Sequence, residues 1–217
     1  MVDNNNMTTH WWWVRHAPVI NVDGILYGSS EIECDITNTS AFKALADVLP
    51  NNALCLTSGL GRTKKTFNEI CNNGLQTEKT FTENDLNEQS FGDWQGYSWA
   101  EMESMSPEKY HRFWEDPVRQ RPPGGESFTD QVERVGKLLK YYTQKYEGKN
   151  IIAVCHGGTI RAALTFSLNL SPESGMAFKI DTLSLTKTEY IKGGILRGKG
   201  SAWRVTGVNL PVADESN

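Results

Sequence analysis

The sequence predicts an α/β three-layer sandwich in which a mainly parallel central sheet is flanked by helices. Three observations carry that expectation. The runs at 11–14 (WWWV) and 151–155 (IIAVC) are short and wholly apolar, the composition of strands buried on both faces. A third short run, 53–57 (ALCLT), has the same character. Each is followed by a segment with helical spacing, and alternating strands and helices are the pattern of a parallel sheet under helices. The 217 residues and 24.3 kDa suffice for one domain over 1–217. Size scaling gives roughly 10,000 Å² of surface against about 35,000 Å² for the extended chain, so about 70% is buried.

The elements follow in order. Residues 1–9 read as a polar leader, and Arg15 bounds the first strand. At 39–49, Ala41, Ala44, Leu45, Val48 and Leu49 recur at helical spacing, with Thr39 or Ser40 as cap and Pro50 as stop. After the strand 53–57, a helix over 60–70 turns Thr63, Phe67 and Ile70 inward. Residues 71–125 are the least regular and read as an inserted region over the active-site face. Within them Ser106, Pro107 and Glu108 start a short helix, with proline at its first position. A helix over 127–146 repeats Phe128, Val132, Val135, Leu139, Tyr142 and Tyr146 at intervals of three and four. Gly136 inside it costs about 1 kcal/mol relative to alanine. After the strand 151–155, a helix over 159–168 opens behind His156, Gly157 and Gly158, and 182–191 and 203–208 read as two further strands.

Composition narrows the function. Twenty-two Lys and Arg against 26 Asp and Glu give a net charge of −4, which argues against a bulk surface for nucleic acid or anionic lipid. The cations Lys192, Arg197, Lys199 and Arg204 near the end read as a solvated hairpin. Cys34, Cys55, Cys71 and Cys155 have no CxxC spacing, and the two in apolar runs read as small buried hydrophobes. The start has neither a basic nor an apolar signal region, and no apolar stretch approaches the ~20 residues of a spanning helix. A cytoplasmic protein with no membrane partner is expected, and a homodimer is compatible with the sequence.

Two of the four histidines directly follow apolar strands: Arg15-His16 after the first and His156-Gly157 after 151–155. In an open α/β sheet, sites form beyond the carboxyl ends of strands, where residues distant in sequence meet. The strand 53–57 leads into Ser58-Gly59-Leu60-Gly61-Arg62, placing Arg62 at a helix start that itself favours anions. Two arginines and two histidines at one rim would form a pocket for a phosphoryl dianion. Taken singly, each of these residues has a bland reading as a surface or structural group.

Together these motifs resemble the histidine phosphatase superfamily, the phosphoglycerate mutase-like family, and within it the small phosphatases. Arg15-His16-Ala17 stands for the usual Arg-His-Gly, and His156-Gly157 for the later histidine. Arg62 matches the second arginine, Glu88 the glutamate ahead of a Phe-Gly-x-Trp-x-Gly signature, and 123–127 the Pro-Gly-Gly-Glu-Ser run. Ala17 and Gly59 depart from the family's glycine and proline. The loop through Pro18, Asn21 and Tyr27-Gly28 is similar to that of α-ribazole phosphatases.

The resemblance implies a metal-independent phosphomonoesterase of small metabolites, α-ribazole 5′-phosphate being one candidate, with no cofactor. His16 would be the nucleophile that forms a phosphohistidine, and Arg15, Arg62 and His156 would hold the non-bridging oxygens. Glu88 would protonate the leaving oxygen and then activate water, with Asp93 as its rival. Gly157, Ser58, Asn21 and Tyr27 are expected to bind substrate, though Ser58 reads equally well as a turn residue. Trp94, Trp99 and Trp114 read either as a wall over the site or as the core of the inserted layer. Phosphoglycerate mutase-type transfer is the alternative activity, although the family's mutases tend to be longer in the middle region. A non-catalytic, protein-binding member would have lost site residues, and none is lost here.

Overall fold

The computed structural model describes residues 7–20, 24–196 and 202–212. Among these, the strands are β1 (Thr8–Arg15), β2 (Ala53–Thr57), β3 (Thr77–Thr82), β4 (Asn150–Cys155), β5 (Leu185–Ile191) and β6 (Trp203–Leu210). The helices are α1 (Thr39–Val48), α2 (Gly61–Asn72), α3 (Trp99–Met105), α4 (Pro107–Glu115), α5 (Phe128–Lys145), α6 (Gly157–Leu168) and the short α7 (Pro172–Gly175). The strands form one mixed sheet in the order β3-β2-β4-β1-β5-β6. The four strands from β3 to β1 pair in parallel, whereas β5 and β6 pair antiparallel. The parallel expectation therefore holds for the part of the sheet whose ends carry the histidines.

Alternation along the strands divides the core into two layers. Trp11, Trp13, Ile151, Ala153 and Cys155 face α5 and α6, packing on residues such as Phe128, Leu139 and Ile160. Val14, Ile152 and Val154 face α1 and α2, against Phe42, Leu45 and Ile70. An indole buried in such a layer needs a partner for its N–H. Trp11 Nε1 donates to Thr143 Oγ1 at 3.0 Å and Trp13 Nε1 to Thr188 Oγ1 at 3.1 Å. The two rings stack 4.9 Å apart. Cys55 and Cys155 are buried free thiols, as expected.

Several boundaries differ from expectation for local reasons. β1 starts at Thr8, inside the expected leader, because Thr8, Thr9 and His10 pair with Ile191, Tyr190 and Glu189 of β5. The cap of α1 is Asn38, whose side chain accepts from Ala41 N at 3.1 Å. β3 went unforeseen within 71–125, because an edge strand with one apolar residue, Phe81, shows little pattern. α3 is held by a capping box between Ser98 and Glu101, a short-range signal at its N-terminus. α6 begins at Gly157, two residues early, with His156 as its N-cap.

Both readings of the middle tryptophans hold in part. Trp94 joins Met102 and Phe113 in a small core of its own, while Trp99 and Trp114 remain exposed and meet edge to face at 5.4 Å, and Trp99 lines a cavity.

Gly136 has a packing role that composition hides. A Cβ there would lie 2.4 Å from the Phe166 ring, so the glycine lets α5 and α6 approach closely. Gly136→Ala should therefore destabilise the protein by about 1–3 kcal/mol, the range for overpacking, despite alanine's better helix propensity. Urea unfolding measures this, and a variant at least as stable as the parent would show that Phe166 yields freely.

Candidate active site

Strand register alone brings the two histidines together. β1 and β4 are parallel neighbours in which Arg15 pairs with Cys155, so His16 and His156 leave the sheet side by side. The His16 amide donates to the Cys155 carbonyl at 2.9 Å, and the imidazole centroids lie 5.0 Å apart. β2 flanks β4 on its other side, and the Ser58 amide at its end donates to the Val154 carbonyl at 3.3 Å. Four residues later α2 delivers Arg62, whose side chain is fully buried.

Hydrogen bonds assign opposite tautomers to the two rings. His16 Nδ1 lies 2.7 Å from the Ala17 carbonyl, which only accepts, so Nδ1 carries the proton and Nε2 keeps its lone pair. Arg62 Nε donates to His156 Nδ1 at 3.2 Å, so His156 carries its proton on Nε2, 2.8 Å from Ser58 Oγ. Both rings are buried and held neutral. Burial lowers the His16 pKa to about 3, with the Ala17 carbonyl opposing the shift and Arg62 and Arg15 adding to it. His156 is pushed well below the ordinary value by burial, then by His16 and Arg62.

An unfolded histidine takes up its proton near pH 6.5, whereas folded His16 does so only near 3. The neutral ring therefore contributes stability above pH 6.5 that is lost as the pH falls from 6.5 toward 3. The slope approaches about 1.4 kcal/mol per pH unit. Urea midpoints between pH 7 and 4 should fall less steeply for His16→Gln than for the parent, and equal slopes would contradict a buried neutral ring.

The arginines are anchored by carbonyls rather than carboxylates. Arg62 Nη1 donates to Ser30 O at 2.8 Å and Nη2 to Gly28 O at 2.7 Å, while the Tyr27 ring lies 5.3 Å from Cζ. Gly28 is required there: its φ is +45°, and a Cβ would meet Gln95, the Gln89 carbonyl and Phe91 within 3 Å. Arg15 Nη1 donates to Ile180 O at 2.5 Å. Its buried Nε has no hydrogen-bond acceptor among the described residues. Gly157 lies against this guanidinium, where a Cβ would approach Nε at 3.4 Å.

Glu88 sits across the start of α6. Gly158 N donates to its Oε2 at 3.2 Å and Gln131 Nε2 to its Oε1 at 3.2 Å. A Cβ on residue 158 would stand 2.4 Å from Oε1, so glycine leaves the carboxylate room to lie where it does. Asp93 occupies an exposed turn, with its amide bound to Pro123 O at 2.8 Å and its carboxylate beside Gly124. It does not line the cavity that Glu88 borders. That cavity, about 260 Å³, is walled by Tyr27, Phe91, Trp99, Phe128 and Met176, with Gly158 and Arg161 on the α6 side.

Of the residues expected from sequence, Arg15, His16, Arg62, His156 and Gly157 gather at the carboxyl ends of β1, β2 and β4, with Glu88 reaching in from the segment that follows β3. Tyr27 lines the adjoining cavity. Ser58 contacts His156 and Thr63, at 2.9 Å from the latter, so its visible contacts are with protein groups. Asn21 lies outside the described residues. Gly158, Gln131 and Arg161 were missed. Gln131 had a signal, a polar residue between Phe128 and Val135 on the buried stripe of α5. Among the described residues no group of three or more His, Cys, Asp or Glu could hold a metal ion. No described helix is long and apolar enough to cross a membrane.

The sequence of residues 11–197 matches the model of the histidine phosphatase superfamily, branch 1. The chain belongs to that superfamily. The phosphatase activity expected from the sequence stands with that membership and with the paired histidines. A 2,3-bisphosphoglycerate-dependent phosphoglycerate mutase 2 of Gloeobacter violaceus is 36% identical over 169 residues, 74% of this chain and 76% of its own. A bifunctional protein of Mycobacterium tuberculosis is 34% identical over 114 residues, which are 52% of this chain but 30% of that protein. In fold, the α-ribazole phosphatase from Shigella flexneri superposes with a TM-score of 0.79 at 21% identity, covering 96% of this chain and 100% of that one. A mycobacterial glucosyl-3-phosphoglycerate phosphatase gives 0.76 at 24% identity, covering 94% and 99%. Both show the phosphoglycerate mutase-like fold.

Proposed function

We propose that this chain hydrolyses a small phosphate monoester through a phosphohistidine on His16, without a metal. The supporting observation is the tautomer pair: His16 has Nδ1 fixed by a carbonyl, which leaves the lone pair on Nε2, beside a neutral His156 that carries its proton on Nε2. Nε2 of His16 attacks phosphorus, forming the N–P bond as the bond to the ester oxygen breaks. Arg15, through its acceptor-free Nε, and Arg62 hold the non-bridging oxygens and offset their charge, and His156 adds its Nε2–H when the phosphoryl oxygen displaces Ser58 Oγ from it. Gly157, by leaving room for Arg15, and Ser58, by its contact with His156, position these donors. Glu88 gives a proton to the leaving oxygen and then takes one from the water that cleaves the N–P bond. The donors that gather here are cationic or neutral, suited to an anion rather than to a divalent cation.

α-Ribazole 5′-phosphate remains the candidate ester, supported by the loop after His16, where Asn21 and Tyr27 would contact the alcohol half. Four free cysteines accord with a reducing cytoplasm. The name of the Gloeobacter relative favours a second reading, in which phosphate returns to the product as in a mutase. Purified protein with EDTA and a panel of phosphomonoesters decides between them. Free phosphate accumulating without a bisphosphate primer supports hydrolysis. Phosphate released only with primer, or activity that EDTA removes and Mg²⁺ restores, would overturn it.

A further inference from the structure

We propose that Arg161 selects the substrate by binding a carboxylate or other anionic group on the alcohol half of an ester whose body is apolar and ring-like. The inference rests on the hydrolytic reading of the site and gives it a substrate class other than α-ribazole 5′-phosphate, whose alcohol half carries no anionic group.

Arg161 lies three residues beyond Gly158 on α6, so the two share a face of the helix, about 4.5 Å apart along its axis. Gly158 touches Glu88, the group assigned to the leaving oxygen. One turn further along the same wall is where the carbon skeleton of the leaving alcohol would lie. Both residues line the 260 Å³ cavity, whose remaining walls include Leu26, Tyr27, Phe91, Trp99, Phe128 and Met176. A cavity of this size, walled by aromatic and aliphatic side chains, suits a ring rather than a long polar chain.

Among the described residues lining this cavity, Arg161 is the one cation. Its Nε donates to the Phe178 carbonyl at 2.8 Å, which fixes the plane of the guanidinium. No described carboxylate forms an ion pair with it, in contrast to Arg121 and Arg134, which are paired with Asp130 and Glu126. A half-buried guanidinium with its stem anchored and its terminal nitrogens uncommitted to a carboxylate offers a planar fork to an anion. Arg161 and Arg15 are anchored on one segment, at the Phe178 and Ile180 carbonyls, but Arg161 lines the cavity beside Glu88 and Gly158, and Arg15 and Arg62 do not. Burial also lowers the pKa of Arg161, with Glu88 opposing that shift, which agrees with a desolvated guanidinium near the carboxylate.

The test uses esters that differ by one group: phenyl phosphate and the meta and para carboxyphenyl phosphates. The parent enzyme should favour the better carboxylated isomer by tenfold or more in kcat/KM, mainly through KM, in line with a hydrogen bond to a charged group. Arg161→Gln should lose at least tenfold more activity on that isomer than on phenyl phosphate, and Arg161→Lys should recover part of the preference. Comparing ratios removes the effect of the carboxylate on the leaving group itself. A parent enzyme indifferent to the carboxylate, or a glutamine variant that loses both esters equally, would overturn the proposal.

Calorimetric binding of the matching phosphonates to the parent and both variants reads the same preference without turnover. If the parent binds the carboxylated phosphonate better but hydrolyses no ester, the hydrolytic reading fails while the role of Arg161 stands. If Arg161→Gln does not fold, the parent's preference and its retention in Arg161→Lys decide.

Discussion

Replacing His16 by alanine is expected to lower kcat by about 10⁴-fold or more, the scale seen when a nucleophile is removed from an intact site. The loss should fall on chemistry rather than binding. Arg62 is anchored to Gly28 and Ser30, Arg15 to Ile180, and His156 to Ser58 and Arg62, so none of the anion donors depends on the His16 ring. Phosphate and vanadate should therefore still inhibit or bind. Acid quenching hydrolyses the N–P bond of phosphohistidine, so the intermediate is trapped by alkaline quench after mixing with ³²P-labelled substrate. The parent should carry label at His16 and the variant should carry none. A His16→Ala protein with kcat within tenfold of the parent, or one that still takes label, would remove the covalent mechanism.

Such a site was legible in the sequence because its main parts are strand ends. Apolar runs of four or five residues locate β1, β2 and β4 almost independently of tertiary context, and the residue after each run is then placed at the carboxyl edge of the sheet. Arg15, Ser58 and His156 follow from that rule alone, with His16 next after Arg15, and Arg62 from the helix start just beyond. Glu88 does not: it lies in the irregular stretch between the short helical turns at 84–86 and 92–94, and only the family motif pointed to it.

The parts that stayed hidden depend on contacts between distant elements. Nothing near Gly158 in sequence says that a carboxylate from residue 88 needs its missing Cβ, and Gln131 reaches the same carboxylate from α5. The edge strand β3 was hidden for the opposite reason, since it packs little and so carries little pattern. Gly136 reads locally as a weak point in a helix and structurally as the place where the Phe166 ring fits. In each case the sequence shows a residue whose meaning is supplied by its partner.

Glu88→Gln is expected to lower kcat by about 10²-fold or more on an alkyl phosphate, the usual contribution of a positioned acid and base. Glutamine keeps the shape and can still accept from Gly158 N, so folding should be little affected. It can neither donate the proton to the leaving oxygen nor accept one from water. The two losses separate by substrate. p-Nitrophenyl phosphate needs little protonation of its leaving group, so formation of phosphohistidine should recover, while its hydrolysis still lacks a base. A burst of p-nitrophenol followed by a slow steady state is the expected record, with label persisting longer than in the parent. Asp93→Asn serves as the comparison, because Asp93 lies in an exposed turn against Gly124 and outside the cavity. It should cost far less than the Glu88 change on either substrate. A Glu88→Gln enzyme with parental rates, beside a folded but inactive Asp93→Asn, would transfer the acid–base role to Asp93.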